Sequence, residues 1–103
     1  MALDLANLEE FEWDSGNARK NDKHGVSREE TEQVFFNHPL LLVEDPKHSQ
    51  TEPRYHALGK STEGRLLHVS FTVRGGKRIR VISARPMHWK EKTIYAEASQ
   101  TAS

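Results

Sequence analysis

From residue 66 to residue 74 apolar and polar side chains alternate. Leu67, Val69, Phe71 and Val73 fall on one face; Leu66, His68, Ser70, Thr72 and Arg74 fall on the other. A period of two over this length predicts a half-buried strand. Gly75-Gly76 follows and predicts a tight hairpin turn. The returning strand, Lys77–Ala84, puts Ile79, Val81 and Ser83 on one face and Arg78, Arg80 and Ile82 on the other. Upstream, Arg54–Lys60 and Leu40–Glu44 read as two further strands, the second stopped by Asp45-Pro46 and followed by a polar loop over 47–53.

The first third has a different rhythm. Phe11-Glu12-Trp13 is a short strand, and Asp14 is placed to cap a helix that ends at Gly25. Ser27 and Glu30 have capping-box spacing and predict a second helix to about Asn37, burying Val34 and Phe35. Pro86 suits the first turn of a last helix running to about Ala98. The order β-α-α-β-β-β-β-α predicts an α+β domain: an antiparallel meander with helices packed on one face and the arginines on the other.

At 103 residues the chain has room for one domain. Residues 1–10 read as a flexible arm, 11–98 as the domain and 99–103 as a tail. Hydrophobic residues make up 35%, enough for one modest core, and no apolar run reaches membrane-helix length. The acidic start MALDLANLEE lacks the basic opening of a signal peptide, and there are no cysteines, so a cytoplasmic location is expected.

The neutral total conceals two opposed halves. Residues 1–53 hold 5 Lys/Arg against 12 Asp/Glu, whereas residues 54–103 hold 10 against 3. The halves can neutralise each other, or the basic strands can present an open face to phosphate or an acidic partner. A guanidinium holds phosphate through two parallel hydrogen bonds and keeps its charge at neutral pH, so Thr72, Arg74, Arg78 and Arg80 form a face able to cradle RNA. His38, Asp45, His48 and His56 are close in sequence but lack a metal-ligand spacing, and the glycines form no phosphate loop, so neither metal nor cofactor is expected. Trp13 and Phe35 read as core, and Lys23-His24 suits a helix C-terminus. Arg85 has two open roles, pairing with Glu91 or binding phosphate.

From Phe11 to Tyr95 the chain resembles the BrnT family of toxins, whose fold is like that of RelE ribonucleases. The matching pieces are Phe11-Glu12-Trp13-Asp14; Asn21 with Lys23-His24-Gly25-Val26; Phe35; Asp45 with His48-Ser49; Glu52-x-Arg54; and Leu58-Gly59. They continue with Thr72-x-Arg74-Gly75, then Arg78-Ile79-Arg80-Val81-Ile82-Ser83-Ala84-Arg85, Glu91 and Tyr95. The sequence departs where the family has a proline and then a lysine after Trp-Asp, since Ser15-Gly16-Asn17 supplies neither. Lys92 stands where an arginine is common.

The resemblance implies a type II toxin, a metal-independent endoribonuclease that inhibits translation and is neutralised by a BrnA-like ribbon-helix-helix antitoxin. In that chemistry the ribose 2′-hydroxyl attacks the adjacent phosphate. The implied cations are Arg54, Arg74, Arg80 and Arg85, with Thr72 as a donor and Lys23, His24 and Tyr95 as proton carriers. The alternative is a non-catalytic co-repressor module that reaches DNA only through the antitoxin complex.

Overall fold

The structure, a computed structural model, describes residues 10–13, 24–48 and 52–101. Its strands are β1 (Glu10–Glu12), β2 (Leu41–Glu44), β3 (Arg54–Lys60), β4 (Leu66–Arg74) and β5 (Arg78–Pro86); its helices are α1 (Arg28–Val34) and α2 (Trp89–Thr101). They make one five-stranded sheet in the order β1-β5-β4-β3-β2. The α+β class and antiparallel meander expected from the alternation are present, with a fifth strand, β1, added in parallel to β5. The helix expected from Asp14 to Gly25 lies outside the described residues except at its end, where His24 and Gly25 form a turn. None of the described helices is long and apolar enough to cross a membrane.

Local signals account for most boundaries. The Ser27 hydroxyl accepts from the Glu30 amide at 3.1 Å, which satisfies one free donor at the start of α1. The Glu30 carboxylate does not close the box; it accepts from the Arg65 guanidinium at 3.0 Å. Helix α1 ends at Val34, shorter than the spacing predicts, and Phe35-Phe36 form a turn. Asn37, expected inside the helix, donates from Nδ2 to the Lys60 carbonyl at 3.0 Å and ties this turn to β3. Pro86, expected to open the last helix, instead ends β5 opposite Leu67. The terminal position of a strand suits a residue without an N–H. Helix α2 then begins at Trp89, with the Glu91 carboxylate accepting from the His88 amide at 2.8 Å.

The main core lies between α1 and one sheet face. Val34 and Phe35 pack on Ala57, Leu67, Val69, Phe71, Ile79, Val81 and Ala84. Phe35 meets the Phe71 ring edge-on at 5.0 Å, an arrangement that aromatic quadrupoles favour. Gly59 permits the close approach of Val34 to β3, because a Cβ there would lie 2.8 Å from the Val34 side chain. Helix α2 crosses to the opposite face at one end, where Tyr95 and Met87 cover Leu58 in a smaller cluster flanked by Leu41 and Leu66. The rest of that second face carries the polar residues.

Candidate active site on the polar face

On this second face the register sets side chains in rows across the strands. The first row joins Arg54, Thr72, Arg80 and Glu12. The next holds Val43, His56, Ser70 and Ser83, and the third Leu41, Leu58, His68 and Arg85. Successive rows lie two residues apart along β3 and β4, within about 7 Å of one another.

One irregularity completes the second and third rows. Ser70 pairs with Ser83 while Phe71 pairs with Val81, so Ile82 is an extra residue on β5. A bulge of this kind reverses the alternation beyond it. Ser83, expected with Ile79 and Val81 on the core face, therefore turns to the polar face together with Arg85. Ala84 turns inward instead and is fully buried. The bulge is what brings Arg85 beside His68.

These residues are linked. His56 Nε2 lies 2.8 Å from Asp45 Oδ2, and the carboxylate places the ring proton on that nitrogen. In the neutral ring with that tautomer, Nδ1 is an acceptor, 3.1 Å from both the Ser70 hydroxyl and His68 Nε2. His68 Nδ1 is buried and has no hydrogen-bond partner among the described residues. Burial, assisted by the Arg85 charge, lowers the His68 pKa to about 4, which keeps its ring neutral near pH 7. Arg85 donates to both Glu91 oxygens, at 2.8 and 2.9 Å. Burial works to raise the Glu91 pKa, but the hydrogen bonds from Arg85 and the His88 amide outweigh it and hold the carboxyl at about 2. His56, Ser70, Ser83, Arg85 and Glu91 line an open groove of about 550 Å³, with Val43 and Ile94 on its rim. A second hollow of about 440 Å³ lies by the first row, lined by Glu12, Trp13, Arg74 and Arg80.

The family model described as the ribonuclease toxin BrnT of type II toxin-antitoxin systems matches residues 13–91. The chain belongs to the BrnT family. No curated protein matches it. Membership makes the chain one of a family of ribonuclease toxins, and a type II system implies an antitoxin as partner.

Within this BrnT fold the residues singled out from sequence are dispersed. Arg54, Thr72 and Arg80 stand side by side, although the Thr72 hydroxyl donates to the Pro53 carbonyl at 2.7 Å and must turn to reach a phosphate. Arg74 faces Glu52 at 3.2 Å and Glu12 at 3.7 Å. Of the two roles open to Arg85, pairing with Glu91 is the one realised here. Tyr95, on α2, packs against Leu58 and Met87, its hydroxyl donating to the Pro39 carbonyl at 2.7 Å and its pKa raised by burial. His24 is exposed in the turn before α1, and Lys23 lies outside the described residues. Of the four residues weighed as a metal set, the structure joins Asp45 and His56. Sequence reading passed over His56, His68 and Ser70 as a group. The shared parity of His68 and Ser70 on β4 was visible, but no local signal gave the β3–β4 register that brings His56 to them.

Proposed function

We propose that the chain is a metal-independent endoribonuclease toxin that cleaves RNA on the polar sheet face and so inhibits translation. The observation that carries this reading is the row of Arg54, Thr72 and Arg80 across three adjacent strands. Two guanidinium groups on rigid strands flanking a hydroxyl can hold a phosphodiester with little loss of side-chain freedom. As the 2′-oxygen attacks, the phosphate gains negative charge, and fixed cations then bind the transition state more tightly than the substrate. Arg74, paired with Glu52, and Arg85, paired with Glu91, add to the electrostatic frame of the face. Lys23 and His24 remain proposed proton carriers, whereas Tyr95 could serve only by releasing its bond to Pro39.

The neutralising partner in this reading is a BrnA-like ribbon-helix-helix antitoxin that covers the same face, with DNA contacted through the complex alone. The exposed Val43 and Ile94 beside the cationic rows give such a partner both apolar and charged footholds. The test is induction in a bacterium with and without the adjacent small reading frame, following growth and total RNA. Arrest with RNA cleavage, relieved by the antitoxin, lost with Arg80→Ala and insensitive to EDTA in the purified protein, is the expected result. Full cleavage by a folded Arg80→Ala protein removes the arginine row from the mechanism, and loss of cleavage in EDTA removes the metal independence.

A further inference from the structure

The cationic row can stabilise charge but cannot accept a proton at neutral pH, because arginine does not titrate there. The transfer reaction requires a base for the 2′-hydroxyl. One row away, Asp45, His56 and Ser70 form a continuous chain, with 2.8 Å between carboxylate and imidazole and 3.1 Å between imidazole and hydroxyl. We propose that these three residues are the proton relay of the cleavage reaction, with His56 as the base, Asp45 orienting it and Ser70 carrying the proton from the groove. The proposal rests on the reading of RNA cleavage above.

Three features of the site favour this. The His56 ring is partly open to the groove, at 30% side-chain exposure, while Asp45 behind it is more enclosed at 13%. That enclosure strengthens the attraction between the carboxylate and an imidazolium. His68, which also faces Nδ1, is held neutral by burial. Beyond them, Arg85 and Glu91 offset each other.

A serine beside a histidine and an aspartate can also act as a nucleophile. That role needs N–H donors for the oxyanion. Ser70 is in the middle of β4, whose backbone amides point sideways into the ladders with β3 and β5. Carrying a proton needs no such donors.

The 2′-oxygen forms its bond to phosphorus while its proton passes to Ser70 Oγ, and the Ser70 proton passes to His56 Nδ1. The bond from phosphorus to the 5′-oxygen breaks, the leaving oxygen keeps the electron pair, and it takes a proton from solvent. The imidazolium, stabilised by Asp45, then returns its proton to solvent.

The experiment is single-turnover cleavage of a short RNA by the full chain, with a substrate lacking the scissile 2′-hydroxyl as control. His56→Ala is expected to slow cleavage by about a hundredfold or more at saturating RNA. RNA affinity should be unchanged, and added imidazole should restore part of the rate. Asp45→Asn and Ser70→Ala should give smaller losses. His56→Gln, which can still bond Asp45 but takes no proton, should be as slow as His56→Ala, and it stands in if the alanine variant does not fold. Wild-type rates in either folded His56 variant overturn the relay. So does a slow His56→Ala that imidazole does not restore, which makes the Asp45–His56 contact a structural clip. A wild-type chain that cleaves no RNA, or cleaves the control equally, overturns the cleavage reading itself.

Discussion

The two faces of this sheet use alternate residues of the same strands and are buried to a similar degree along β4, but for opposite ends. On one face Leu67, Val69 and Phe71 are fully enclosed beneath α1. On the other, His68, Ser70 and Thr72 are no more than 8% exposed, yet all are polar. Burying apolar area stabilises a fold at about 25 cal/mol per Å², whereas burying polar groups costs free energy unless each finds a partner. The second face meets that condition incompletely, since His68 Nδ1 has no partner among the described residues. The first face therefore holds the fold together, and the second holds groups whose burial the fold must offset. Such places are where function is to be sought.

The largest expected effect comes from damaging the first face. Phe71→Ala removes the ring stacked on Tyr55 and met edge-on by Phe35, and should cost about 4 kcal/mol, a large share of the stability of a small domain. Denaturant unfolding checks this, and a loss below about 1 kcal/mol would remove the distinction between the faces. On the second face, Arg80→Ala should leave the protein folded but slow RNA cleavage about a hundredfold, equivalent to about 3 kcal/mol in the barrier. Arg80→Lys, which keeps charge but not the two-pronged geometry, should fall between. Arg85→Ala is a less selective probe, because it strips a partly buried Glu91 of its partner. The double change Arg85→Ala with Glu91→Gln separates that structural loss from any role in cleavage.

Acidification sharpens the same contrast. His68 has its pKa lowered in the folded state, so the unfolded chain binds the proton first as pH falls. Stability should decline from about pH 6.5 to about pH 4, by roughly 3 kcal/mol over the window. Glu91, also lowered, adds a further decline between about pH 4.5 and 2. Unfolding midpoints measured against pH should lose the first decline in a His68→Leu variant; a wild-type profile flat from pH 7 to 4.5 would contradict the buried neutral ring. The smallest effect is expected at Arg78, whose pairs with Glu10 and Glu12 are more than half exposed on the arginine side. Arg78→Ala should change stability by less than about 1 kcal/mol, as thermal denaturation would register.

Much of the fold was legible along the chain. Strands β3 and β4 run over the residues that the alternation marks, the Gly75-Gly76 turn joins β4 to β5, and Ser27 caps α1. The site was legible only in part. Arg54, Thr72 and Arg80 could be named as charged or polar strand residues, but their alignment depends on two registers that no single strand encodes. The opposed charges of the two halves had two readings. Arg65, Arg74 and Arg78 each pair with a carboxylate of the first half, so neutralisation is realised at these positions, while Arg85 pairs within its own half and the polar face still opens onto two hollows.

What the sequence determined by itself is what short-range physics controls: the period of each strand, the turn that glycine permits, the helix start that a serine caps, and the type of charge on each segment. The tertiary structure alone decided which segments lie beside one another. It set β1 parallel to β5, sent α2 to the opposite face from α1, and inserted Ile82 as the unpaired residue that turns Ser83 and Arg85 outward. It also brought Asp45, His56 and Ser70 within hydrogen-bonding distance from three separate stretches of chain. Alternation belongs to one strand and is fixed by backbone geometry, whereas register and bulges follow from how whole faces pack, a property no local window contains.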